Sequence, residues 1–102
     1  MKNLKWKYIA AGSLLIAVCT SAFAFTGQKY ASDAKITLEQ ARAIALKAHP
    51  GKITDQELEK EKGGSGLRYS FDIRKDRVTQ EVGVDAKSGA LLENDPEGPN
   101  PD

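Results

Sequence analysis

The chain has 102 residues, of which 40% are apolar and 28% charged, and a formal net charge of +1, the composition of one ordinary soluble domain and too short for two. The balance is uneven, because the first 24 residues hold 16 of the 41 apolar residues, the single Met, Trp and Cys, and three lysines with no acid. The other 78 carry 12 Lys and Arg against 14 Asp and Glu, so no basic surplus points to nucleic acid, and no cysteine remains for a disulfide, a thiolate ligand or a thiol nucleophile.

Residues 1–24 read as an export signal. Lys2, Lys5 and Lys7 form a positive start, Ile9 to Cys19 an apolar stretch, and Ala22-Phe23-Ala24 puts small residues at the two positions a signal peptidase reads. Cleavage after Ala24 is expected, with a periplasmic or secreted product. Two readings compete. A retained anchor would use Tyr8 to Phe25, about the minimum of roughly 18 residues for a span but diluted by Gly12, Ser13, Thr20 and Ser21; the membrane is reached only through this segment, if it is uncleaved. Lipidation at Cys19 would use Ile16-Ala17-Val18-Cys19, which partly resembles a bacterial lipobox but has Val18 where a small residue belongs.

Residues 25–35 lack apolar periodicity and read as a linker, with Phe25 and Tyr30 outside the core. Thr37 then opens a helix: its hydroxyl can cap the first turn, and Gln40 completes a capping-box pattern. Leu38, Ala41, Ile44, Ala45 and Ala48 recur at the spacing of one helical face, while Glu39, Gln40, Arg42 and Lys47 lie elsewhere on the circumference. His49-Pro50-Gly51 ends the helix, since proline disfavours helical geometry in the residue before it.

Downstream the period becomes two. Leu67, Tyr69, Phe71 and Ile73 alternate with Arg68, Ser70, Asp72 and Arg74, and Val78, Val82 and Val84 alternate with Thr79, Glu81 and Gly83. A hairpin turning at Lys75-Asp76 would pair Ile73 with Val78, Phe71 with Gln80, Tyr69 with Val82 and Leu67 with Val84, all on one face. Lys75-Asp76 is a poor two-residue turn, and a loop from Arg74 to Arg77 preserves the same pairs. An earlier strand over Lys52 to Lys62 puts Ile53 and Leu58 on opposite faces, so either a bulge intervenes or only part of it pairs, and its many charges suit an edge. Gly63-Gly64-Ser65-Gly66 connects the two. Ala90-Leu91-Leu92 either forms a short fourth strand or lies over the core, and residues 94–102, rich in proline and acid, read as a disordered tail.

The expected fold is therefore α+β, one N-terminal helix packed on a three-stranded antiparallel sheet with a candidate fourth strand, over residues 36–93. Domains of this size commonly hold only about 3 to 5 kcal/mol of stability, which makes a protein partner or a homodimer an expectation.

The pieces Ile36-Thr37-Leu38-Glu39-Gln40-Ala41, Ile44-Ala45-Leu46-Lys47-Ala48, Pro50-Gly51-Lys52-Ile53 and Glu81-Val82-Gly83-Val84-Asp85-Ala86-Lys87-Ser88-Gly89 together resemble the PepSY domain family over about Ile36 to Leu92. Gly83 stands where the family has a larger residue. PepSY domains occur in the propeptides of thermolysin-like metallopeptidases and in many small exported or membrane-bound bacterial proteins. The resemblance implies a non-catalytic module that restrains peptidases near the cell envelope, with no catalytic residue to carry over.

The residues themselves agree that no reaction is encoded. The sole histidine, His49, lacks the clustered ligands of a metal site, turn chemistry explains Ser65 and Ser88, and Glu57-Leu58-Glu59-Lys60-Glu61 lacks EF-hand spacing and suits a solvated strand. No catalytic, metal or cofactor-binding residue is assigned. The expected function is protein binding, as an inhibitor or regulator of an exported metallopeptidase or another envelope protein. The candidate surface is the sheet edge or its wet face, with Arg68, Ser70, Asp72 and Arg74 all pointing to solvent. The competing reading is a structural or sensory envelope module that binds a small ligand or metal.

Overall fold

The computed structural model describes residues 25–98. The expected signal segment, with Ala22 and Ala24, and the last four residues of the tail lie outside the described residues. Among the described residues no helix is long and apolar enough to cross a membrane.

Helix α1, Leu38–Ala48, begins as the capping pattern requires: the Gln40 N–H donates to Thr37 Oγ1 at 3.1 Å and the Thr37 N–H to Gln40 Oε1 at 2.8 Å, so two otherwise orphaned donors are satisfied. It stops at His49, which is extended and whose N–H still reaches the Ala45 carbonyl at 2.8 Å. Gly51 is required by space rather than by turn geometry, because a Cβ there would sit 2.7 Å from both the Arg74 carbonyl oxygen and Ile73 Cγ2.

Four antiparallel strands follow, β1 Lys52–Lys60, β2 Leu67–Lys75, β3 Val78–Asp85 and β4 Leu91–Pro96, in the spatial order β1-β2-β3-β4. The candidate fourth strand is thus present. α1 covers one face of this sheet. Ala41 and Ala45 are fully buried there with Leu38, against Leu58, Leu67, Tyr69, Phe71, Ile73, Val82 and Val84; the missing side-chain bulk of the alanines lets the helix approach closely. Ile44 is half-buried and Ala48 exposed, so the apolar stripe ends one turn sooner than its spacing suggests. Two bonds fix the helix entry to the sheet: the Tyr69 hydroxyl donates to the Ile36 carbonyl at 2.9 Å, and the Ile36 N–H to the Ala86 carbonyl at 3.1 Å.

Three expectations are corrected. The β2–β3 hairpin pairs Lys75 with Val78, Ile73 with Gln80, Phe71 with Val82 and Tyr69 with Val84, two residues away from the expected register. A two-residue shift leaves every side chain on its own face, so alternation cannot detect it, and the turn decides. Asp76, with φ of 60°, takes the left-handed position that aspartate tolerates better than most residues. Residues 25–35 are not a bare linker. Gln28–Asp33 forms a 3-10 helix, Thr26 bridges Glu57 in parallel, and Phe25 and Tyr30 pack on the core, with Phe25 edge-on to Tyr69 at 6.3 Å. The segment 94–96, expected as disordered tail, pairs with β3 as Val82 with Asn94, Glu81 with Asp95 and Gln80 with Pro96. All three of these residues are exposed, so ladder hydrogen bonds hold them rather than the burial that composition reports on. The expected irregularity in β1 is present as a bulge between Ile53 and Asp55, which lets both Ile53 and Leu58 face α1.

Candidate functional site

With one face of the sheet consumed by α1, the opposite face is the one left open. Strand alternation sends Arg68, Ser70, Asp72 and Arg74 of β2 to that face, and the structure brings the four together in one row, but in very different states. Arg74 is exposed. Ser70 donates to Glu59 Oε2 at 2.6 Å. Asp72 is half-buried. Arg68 does not point freely to solvent: it is buried, donates to the Lys62 carbonyl at 2.9 Å, and pairs with Glu93 at 3.3 Å, while its Nε–H is buried with no hydrogen-bond partner. Charge reversal at Arg68 would therefore disturb the fold, since it would leave a buried, mispaired charge.

Arg68 also accounts for Gly83. A Cβ at Gly83 would lie 3.2 Å from Arg68 Nη1 and 3.3 Å from the Glu93 Cβ. The glycine gives the guanidinium room to cross β3 towards Glu93 on β4, so glycine has a steric reason here.

The rest of this face is acidic. A shallow depression of about 160 Å³ is lined by eight carboxylates, from Asp55, Glu57 and Glu59 of β1, Glu61 beyond it, Asp72 of β2, Glu81 of β3, Glu93 of β4 and Glu97, and by no lysine or arginine. Within it, Asp72, Glu81 and Glu97 bring one carboxylate oxygen each within 4.8 Å of one another, a spacing in which a cation fits. A calcium ion takes six to eight oxygens, and exposed acids adopt such spacing commonly without one. The physical consequence is a concave surface of one sign, which raises the local concentration of cationic groups and loses that effect as salt is added.

Chemistry by this chain's own side chains finds little support here. Ser65 donates to Asp85 Oδ1 at 2.9 Å, tying the β1–β2 connection to the end of β3, and Ser88 Oγ accepts from the Ala90 N–H at 3.2 Å within a turn. His49 ends α1, with its Nε2 buried and without a hydrogen-bond partner.

One residue with a large role was not singled out from the sequence. Asp85 is buried at the end of β3, and its carboxylate accepts from the Ser65 N–H at 2.6 Å, the Lys87 N–H at 2.8 Å, the Ser88 N–H at 3.0 Å and the Ser65 hydroxyl. Burial alone would favour the neutral acid, but the bonds from Ser65, Ser88 and Lys87 outweigh it and hold the carboxyl well below the usual carboxylate range. The available signal was the Asp85-Ala86-Lys87-Ser88-Gly89 run, an aspartate positioned to accept from the backbone two and three residues on.

No curated protein and no solved structure matches this chain. The family model described as peptidase propeptide and YPEB domain matches residues 35–95, the span from the entry to α1 through β4 that builds the covered face and the open acidic one, and the chain belongs to that family, PepSY.

Proposed function

We propose that the protein is an exported, non-catalytic binding module that regulates a metallopeptidase of the bacterial cell envelope by occupying it with the open face of its sheet. Membership of a family described by its peptidase propeptides supports a regulatory or binding role. The observation that carries the reading is the helix-free face itself, with eight carboxylates lining one depression, Glu93 among them paired with Arg68. A depression so rich in acidic groups attracts cations, which a partner with a basic surface supplies.

Adding purified protein to a cognate envelope metallopeptidase should slow it stoichiometrically, less so at high salt, while the protein itself hydrolyses nothing. Asp72→Lys should weaken inhibition about ten-fold by removing charge complementarity. Arg74→Glu tests the exposed end of the same row and should change stability by less than about 0.5 kcal/mol. Inhibition indifferent to salt and to both substitutions would contradict the assignment of this face. The sensory reading draws on the grouping of Asp72, Glu81 and Glu97 and requires instead that calcium bind saturably and raise the melting temperature.

A further inference from the structure

The open face ends at β4, and β4 has an edge of its own. Among the described residues it is the last strand of the sheet, with β3 on one side and no backbone partner on the other. Its phase is set by the Glu97 N–H, which donates to the Thr79 carbonyl at 2.8 Å. Counting back through the antiparallel pairs Glu81 with Asp95 and Gly83 with Glu93, these residues direct their backbone groups to β3, and Asn94 and Pro96, one step out of phase, direct theirs outward. Pro96 therefore sits where a missing N–H costs the ladder nothing, and Asn94 presents both a donor and an acceptor to whatever lies alongside.

The two sides of this edge differ in chemistry. On the open face stand Asp95, which is exposed, and Glu93, half-buried and paired on one side with Arg68, continuous with the acidic depression. On the helix face stands Leu91, opposite Val84 and 45% exposed, one of only two large apolar side chains so exposed among the described residues. A second copy of the chain is a poor occupant, because pairing β4 with β4 sets Glu93 and Asp95 of both copies on one surface, and like charges across a strand pair destabilise it.

We propose that β4 accepts an extended segment of a partner protein as a fifth strand, with lysine or arginine at alternate positions facing Glu93 and Asp95 and an apolar side chain on the helix side at the Leu91 end of the strand. Backbone hydrogen bonds to Asn94 supply register and the alternating side chains supply selectivity. This inference rests on the reading of the protein as a protein-binding module, and names the chemistry of the segment bound.

The test is a fluorescent synthetic peptide of alternating lysine and valine, titrated into purified protein, with a peptide of the same composition in which the lysines and valines are segregated into two blocks. Two further versions carry N-methyl groups on one or the other alternating set of residues, so the protein stays unaltered. Saturable binding of the alternating peptide is expected, weaker for the segregated one. Methylation of one set should weaken binding about ten-fold or more by removing backbone bonds, and methylation of the other should leave it within about two-fold. Asp95→Lys, at an exposed position, should weaken the alternating peptide by several-fold. Equal effects of the two methylation patterns would show attraction by charge alone, overturning strand addition while leaving the open face as a binding surface. Absence of saturable binding would overturn the inference too, and peptidase inhibition decides the parent reading separately.

Discussion

Replacing Ala45 with aspartate should cost on the order of 3 kcal/mol, a fall in melting temperature on the order of 15 °C for a domain of this size. Ala45 is fully buried where α1 meets the sheet, so the new carboxylate would lose its water inside the hydrophobic core. The matched control is Ala43→Asp, two residues along the same helix and exposed, which pays the lower helix propensity of aspartate but no burial and should cost under about 1 kcal/mol. Arg42, off the apolar stripe by its spacing, is a worse control, because it is half-buried and donates to Gln56 Oε1. Equal melting temperatures for the two aspartate variants would show that the helix packs through another face.

Loss of the Asp85 carboxylate should be comparably severe. Asp85→Ala would leave the N–H groups of Ser65, Lys87 and Ser88 without their acceptor, and bonds to a charged group contribute about 1.5 to 3 kcal/mol each without adding fully, so a cost on the order of 3 kcal/mol is expected. The effect depends on pH with a definite sign. The folded carboxyl lies below the usual range, whereas the unfolded one titrates near pH 3.9. The unfolded chain therefore binds the extra proton first as pH falls, and the stabilisation, complete above about pH 5, is lost progressively below it. Denaturant titrations of the native protein and of Asp85→Asn between neutral pH and pH 3 should show a steep acid loss in the first and a flatter one in the second. Parallel acid limbs would mean that Asp85 is not the group responsible.

The acid sensitivity of Asp85 and the charge of the open face have different origins. Asp85 is held ionised by bonds from its own turn and from Ser65 in the β1–β2 connection, and protonating it opposes folding. The carboxylates of the depression belong to a surface, where Glu93 pairs with Arg68 and Glu59 accepts from Ser70, so added salt should weaken attraction to a basic partner.

Which features were readable from the sequence follows from what each depends on. The start of α1 rests on Thr37 and Gln40, three residues apart, and local chemistry of that kind survives in any tertiary setting. The faces of β2 and β3 follow from a period of two, and the mismatch of Ile53 with Leu58 pointed to the bulge that β1 contains. The hairpin register was not readable, because displacement by two residues preserves the alternation and only the φ tolerance of Asp76 separates the alternatives. Phe25 and Tyr30 were missed because single aromatics anchoring a 3-10 helix leave no period to read. The length of β4 was missed because an acidic, proline-bearing stretch with little to bury resembles a tail, and its order comes from backbone pairing.

The four candidate residues lie on the helix-free face of β2, as alternation predicts, but the character of that face was not legible from them. Four β2 residues alone suggest a balanced row of two arginines, a serine and an aspartate. The face also takes side chains from β1, β3, β4 and the residues beyond them, and pairing of Arg68 with Glu93 removes one of the two cations from the surface. What remains is strongly acidic, a property of the sheet as an assembly that no single strand displays.

The claim that the open face of the sheet is the binding surface is tested most directly by recording amide resonances of isotope-labelled protein while an unlabelled envelope metallopeptidase is added to saturation. The proposal predicts perturbation of Ser70, Asp72, Glu81 and Glu93 on the acidic face, with the amides of Gln40 to Lys47 in α1 unmoved beyond general broadening. Perturbation confined to α1, with the β2 and β3 amides of the acidic face unchanged, would contradict it.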